Sequence, residues 1–347
     1  MINVQVGPSR QTGELPSLVT RPAAIESPRV YLANIDSDYR AAFEAGLEYI
    51  GVLDRIGPAT RVAIKPNLTY PTFRQGVMTN PEAVEAVIRV LRKRTANITI
   101  CESDSGGYNP FSMSEVFRVT GLADLAARYG VRIVNLTEAP SRCITVKVGW
   151  RKLQVPLPKL LLDEIDWFFT MPVPKMHLNT GVSLSIKNQW GVIQEPALRL
   201  KLHPFFQEVI YAVNQALPRP IAVMDGKYGL TRSGPMRGDV VKLGWVLLSD
   251  SLYACDYYAL RLMGIEYKSI PYLRHIFKDQ GVETLESAVL NTDWNAFRRG
   301  KFYLKREWTD YPGLCAFHSR ALAYVGYESL LAKPLHWLLY RYREPFY

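Results

Sequence analysis

The sequence predicts an α/β protein: a mainly parallel sheet flanked by helices, with a mixed α+β C-terminal part. Two observations carry this. Short apolar runs rich in β-branched residues alternate with longer runs of helical period, the mark of successive βαβ units. The composition, 48% hydrophobic and 21% charged over 347 residues, is that of a globular chain long enough for one large or two fused α/β domains.

The strands with the clearest pattern are residues 61–65 (RVAIK), 97–101 (NITIC), 131–135 (VRIVN), 165–170 (IDWFFT) and 221–225 (IAVMD). Between the first two, Asn80 suits an N-cap, Pro81 the first helical position and Glu82 the positive end of the helix dipole. Val84, Val87, Ile88 and Leu91 then form one apolar stripe, and Arg92, Lys93 and Arg94 crowd the last turn. Further helices are predicted from Ser114 to Thr120, Leu122 to Tyr129, His203 to Ala216 and Ser251 to Met263. The chain divides into an N-terminal arm and first helix (1–55), an α/β core (56–265) and a basic, aromatic C-terminal extension packed on the core (266–347).

Cys101, Cys143, Cys255 and Cys315 lie far apart with no CxxC spacing, which argues against a disulfide framework and against a thiolate zinc or iron–sulfur site. No iron–sulfur motif is present, and a reducing, cytoplasmic compartment is the expectation. No apolar run reaches the roughly 20 residues of a membrane span. The N-terminus lacks the apolar stretch of a secretory signal. A formal charge of +10 fits either an ordinary basic surface or attraction to an acidic partner, but the basic residues are scattered and no nucleic-acid module occurs, so nucleic acid is not expected. The C-terminal segment, ending in HWLLYRYREPFY, is read as packed on its own domain, and its aromatic and basic character is also compatible with peripheral contact at a membrane surface. Oligomeric state is not legible.

Ligands of open α/β sheets bind beyond the carboxyl ends of the strands, and those ends are consistently polar here. RVAIK leads to Pro66-Asn67, NITIC to Glu102-Ser103-Asp104 and a turn at Gly106-Gly107-Tyr108, and IAVMD to Asp225-Gly226-Lys227. Lys65 continues a strand that should be buried, so it must reach solvent, an anion or a carboxylate such as Glu102. The most loaded segment is KMHLNTGVSLSIKNQWG, residues 175–191. Pro172 and Pro174 stiffen its approach, Val182 to Ile186 alternate aliphatics with hydroxyls, and Lys175, His177, Lys187 and Asn188 supply cations and donors. If Lys175 and Lys187 share a cleft, repulsion and desolvation lower a lysine pKa toward that of a base or amine nucleophile, with His177 as an acid, base or metal ligand. A third cluster, DGKYGLTRSGPMRG (225–238), offers Lys227, Arg232 and Arg237 on a glycine-rich loop suited to phosphate or carboxylate, without matching any nucleotide fingerprint.

KPN at 65–67, TNPEAVEAVI at 79–88, CESDSGGYN at 101–109, the 175–191 segment, HP at 203–204, MDGKYGLTRSGPMRG at 224–238 and ACD at 254–256 resemble the family called domain of unknown function 362. The resemblance covers roughly residues 60–265. The spacing of His177, Gly181 and Lys187 is also similar to a pattern of the nickel-pincer lactate racemases. That similarity implies a cofactor-anchoring role for Lys187 and a metal or proton role for His177. Leu184-Ser185-Ile186 replaces the glycine pair usual before that lysine, and Gly107-Tyr108-Asn109 occupies the turn of the second histidine. It therefore implies kinship of fold and leaves cofactor and metal unassigned.

The expectation is an enzyme of unassigned reaction on a small carboxylate or phosphate metabolite, by acid–base or lysine-mediated chemistry such as isomerisation, epimerisation or redox. Lys187, His177 and Glu102 are the candidate catalytic residues. Lys65, Asn67, Asp104, Tyr108, Lys175, Asn188, Asp225, Lys227, Arg232 and Arg237 are the candidate ligand-binding residues. The alternative is a non-catalytic anionic-ligand-binding or scaffold protein.

Overall fold

A computed structural model describes residues 4–6, 27–35, 38–105, 111–327, 329–339 and 341–342. Its strands, in chain order, are β1 (Val4–Val6), β2 (Arg29–Asn34), β3 (Val62–Pro66), β4 (Ile98–Glu102), β5 (Arg132–Asn135), β6 (Ser141–Val148) and β7 (Arg151–Pro158). Then follow β8 (Trp167–Met171), β9 (Lys175–His177), β10 (Gly181–Ser183), β11 (Pro220–Thr231), β12 (Asp239–Ser249) and β13 (Val289–Leu290).

Strands β3, β4 and β8 are buried along their whole length, as parallel strands covered on both faces must be. The pleat sends alternate side chains to two separate cores. Ala63 and Phe168 join one core with the helices Phe206–Ala216 and Leu252–Met263. Val62, Ile64 and Phe169 join the other with the helices Tyr39–Tyr49 and Pro81–Leu91. Helices therefore cover both sides of the sheet. The expected Asn80 cap forms, its side chain accepting from the amide of Glu82, and contributes about 1 kcal/mol.

The main sheet runs β13-β2-β12-β11-β8-β3-β4-β5. β11, β8, β3, β4 and β5 are mutually parallel, while β12 is antiparallel to both of its neighbours. From β3 the chain moves outward to β4 and β5, then returns to β8 on the other side of β3. The boundary between β3 and β8 is thus a topological switch point, where diverging connections leave a crevice above the carboxyl ends. A smaller antiparallel sheet, β1-β6-β7, stands apart.

Several expectations need correction. The sheet does not stop at residues 56 and 265, because β2 and β13 belong to it. Residues 225–231 are no open loop. They prolong β11 as a strand paired to β12, with a bulge between Gly226 and Tyr228, since Leu230 also pairs with Lys175 of β9. The alternating run at 182–186 splits into β10 and a short helix, Ser185–Asn188. That break arises because Asp256 accepts hydrogen bonds from the amides of Ser185 (2.7 Å) and Ile186 (2.9 Å), capping the helix from a distant element. The helix expected from His203 opens with a separate turn, His203–Phe205.

Candidate functional site

The site lies at the switch point. Lys65, in register with Thr170 of β8, and Glu102, the last residue of β4, meet with Nζ 2.7 Å from Oε2. Both side chains are buried, so the pair must be satisfied from within. Lys65 also donates to the carbonyl of Pro66 (3.3 Å) and to Asn188 Oδ1 (3.4 Å), and Glu102 Oε1 accepts from the amide of Ser103 (3.0 Å). Burial raises the Glu102 pKa against the opposing pull of Lys65. Gly191 passes directly over this pair. A Cβ there would fall 2.8 Å from Glu102 Oε1 and 3.0 Å from Lys65 Nζ, which is why the KNQWG run ends in glycine.

Asn188 and Gln189 fasten the Lys187 helix to β8. Asn188 Nδ2 donates to Thr170 Oγ1 at 2.8 Å, and Thr170 Oγ1 donates to Gln189 Oε1 at 2.9 Å. Lys187 itself has no hydrogen-bond or ion-pair partner among the described residues. Its Nζ stands 5.9 Å from the ring centroid of Phe206. Enclosure by protein, then Lys65 and Arg199, lower its pKa to about 7. Lys175 is fully buried and donates to the carbonyl of Val77 at 2.8 Å. Burial, then Lys187 and Lys65, lower its pKa to about 7 as well. Asn67 Nδ2 donates to the same carbonyl at 2.7 Å, so the 77–80 segment is stitched to both strands.

The Nδ1 of His177 accepts from the amide of Asn179 at 3.2 Å, which leaves Nε2 to carry the proton of the neutral ring. Burial, then Lys187 and His203, hold His177 well below the usual histidine range, so it serves as a neutral N–H donor.

These side chains line a cavity of about 250 Å³. Lys65, Lys175, Lys187 and Arg199 face it against Glu102 and Asp310, four basic side chains to two acidic ones. Arg199, not singled out from the sequence, binds the carbonyls of Ile193 (2.8 Å) and Asp104 (2.7 Å) and the hydroxyl of Ser103. Burial lowers its pKa to about 10. His203, also overlooked as a site residue, stacks on Phe206 and is pushed to about 3 by burial and then Lys187. An arginine within QEPALRLKLHP carries no local sign that its guanidinium turns inward. The C-terminal extension closes the cavity with Phe317, Tyr327, His336 and Leu339.

Of the sequence candidates, Lys65, Asn67, Glu102, Lys175, His177, Lys187 and Asn188 line this cavity. Others are committed elsewhere. Asp225 lies off the cavity and accepts from Tyr39 Oη (2.8 Å) and from the amides of Asn80 (2.8 Å) and Lys227 (3.1 Å). Asp104 accepts from the amide of Met113 and from Asn135. Lys227, on the extended β11, pairs with Glu82, and in the turn that follows Arg232 pairs with Asp239 and Arg237 with Glu307, so none of the three lines the cavity. Tyr108 lies outside the described residues. Among the described residues, no group of three His, Cys, Asp or Glu side chains is placed to hold a metal ion, including the combinations of Asp225 with Glu102, Asp104 or Asp256.

Residues 62–261 match the domain of unknown function DUF362. The chain belongs to that family. The matched DUF362 region holds the strand ends at the switch point and the ACD motif, whose Asp256 caps the Lys187 helix, while the C-terminal residues that close the cavity lie beyond it. A thylakoid-associated protein of Synechocystis sp. is 24% identical over 240 residues, spanning 67% of this chain and 72% of its own. Two solved structures are similar at low identity. The lactate racemase apoprotein of Thermoanaerobacterium thermosaccharolyticum shares 14% identity at a TM-score of 0.37, over 64% of this chain and 55% of its own. A protein of Thermotoga maritima shares 11% at a TM-score of 0.38, over 64% of this chain and 58% of its own. This DUF362 chain thus spans little more than half the length of either solved structure.

Proposed function

We propose that the chain is an enzyme acting on a small carboxylate or phosphate metabolite through lysine-mediated or acid–base chemistry, in the class of isomerisation, epimerisation or redox. One observation carries the reading: the Lys187 amine, without a hydrogen-bond or ion-pair partner among the described residues and with its pKa lowered to about 7, faces a cavity lined by more basic than acidic side chains. An amine of this kind is substantially neutral near pH 7 and so can attack a carbonyl or accept a proton. Lys175 supplies further positive charge for the anion. The Nε2–H of His177 is a donor to an oxygen in the cavity, and Glu102 is a second proton carrier. The wide spacing of the four cysteines, with no CxxC pair, suits a reducing, cytoplasmic compartment.

A second reading, a non-catalytic anion binder, is favoured by the engagement of Glu102 with Lys65 and of Arg199 with backbone carbonyls. Native mass spectrometry of protein purified from its own host identifies the bound anion, and nuclear magnetic resonance then follows its conversion. Loss of conversion in Lys187→Ala, with the fold intact by circular dichroism, is the expected result. Full turnover by that variant removes Lys187 from the mechanism. Binding without conversion by the unaltered protein establishes the second reading.

A further inference from the structure

Three short helices, Tyr311–His318, Arg320–Tyr327 and Ala332–Leu339, cover the cavity, and their apolar residues are distributed in an unusual way. The residues they bury are small: Ala316, Ala323 and Ala332. Apart from the cavity-lining Leu314, Phe317, Tyr327 and Leu339, the large ones face outward. Twelve of the seventeen exposed large hydrophobic residues described lie between Tyr303 and Tyr342. Leu330 is 99% exposed and Trp337 60%, with Leu331, Leu335 and Leu338 also exposed. An amphipathic helix normally buries its bulky side chains in its own core, so this arrangement leaves an outer surface in need of cover.

Charge indicates what covers it. From Tyr311 to Tyr342 the sequence carries Arg320, Lys333 and Arg341 against one acid, Glu328. All three cations are exposed beside the apolar side chains. The Arg341 guanidinium lies 4.1 Å from the ring centroid of Trp337, and Trp308 and Tyr342 stand edge to face with centroids 6.1 Å apart. Exposed leucines, tryptophan and tyrosine interleaved with arginine and lysine suit the boundary between acyl chains and anionic headgroups. No helix described is long and apolar enough to cross a bilayer, so the contact is interfacial.

We propose that this three-helix cover docks on the surface of an anionic lipid bilayer. One helix serves two surfaces: His336 and Leu339 line the cavity, while Trp337 and Leu338 turn outward to the lipid. Docking therefore sets the cavity just beneath the headgroups. The inference holds whatever chemistry the cavity performs.

The test is flotation of the full chain with vesicles of phosphatidylcholine alone and of phosphatidylcholine mixed with phosphatidylglycerol. The chain is expected to float with the mixed vesicles and much less with the neutral ones. W337D/L338D and K333E/R341E should each lower the partition coefficient by about tenfold or more without lowering the melting temperature, since all four residues are exposed. Failure of the unaltered chain to float, or equal flotation of both double variants, overturns the proposal. So does a dimer in light scattering that W337D/L338D converts to monomer, because the surface is then covered by a second copy.

Discussion

Lys65 and Glu102 close a buried ion pair of 2.7 Å across the carboxyl ends of β3 and β4, in the middle of the sheet. The pair is both a structural member and a wall of the cavity. Removing one partner strands a buried charge, whereas removing both leaves an apolar site. Lys65→Met and Glu102→Leu are each expected to cost about 3 kcal/mol or more, and the double variant less than the sum by about 2 kcal/mol. Urea denaturation of the four proteins measures this coupling, and strict additivity would show that the pair does not form.

Gly191 leaves the space that this pair fills. Gly191→Ala is expected to destabilise the protein by about 2 kcal/mol or more, because its Cβ meets both charged ends and neither can retreat without breaking the pair. In a Lys65→Met/Glu102→Leu background the same substitution should cost much less. An equal cost in both backgrounds would assign the strain to the backbone.

Lys175 and Lys187 make stability depend on pH. Both bind protons less tightly when folded, with pKa values of about 7 against the usual 10.5. Between those values the unfolded chain holds more protons, so stability rises as pH increases from about 7 toward 10, by at most about 1.4 kcal/mol per pH unit for each group. Lys187→Met should flatten part of that slope, as read by denaturation midpoints across this range. An unchanged slope would mean that the Lys187 amine stays solvated.

Asp225 is a fastener for the β11 end and the start of the Pro81–Leu91 helix, through Tyr39 and the amide of Asn80. Asp225→Ala is expected to cost about 2 kcal/mol or more in stability, since Tyr39 Oη and two amides lose their acceptor. Affinity for the anion proposed for the cavity should be unaltered. Calorimetry showing lost affinity at unchanged melting temperature would return Asp225 to the site.

What could be read in advance depended on range. Runs such as RVAIK and IDWFFT declare strands because burial on both faces demands continuous apolar residues, and Asn80-Pro81-Glu82 declares a helix start through local hydrogen bonding. Lys65 was legible as a residue needing a partner. The 225–231 strand was not, because its glycines and charges read as a loop and only pairing with β12 and β9 makes it extended.

The sequence alone determined the α/β class, the polar strand ends and the concentration of donors between Lys175 and Gly191, since these follow from local periodicity and residue chemistry. Tertiary structure alone decided which of those donors meet. It placed Lys187 in the cavity without a hydrogen-bond or ion-pair partner among the described residues, brought Arg199 and the C-terminal helices to the same place, and left Asp225, Lys227, Arg232 and Arg237 off its lining. The reason is physical. Burial, ion pairing and lysine pKa depend on groups from distant strands and helices, which spacing along one chain does not encode.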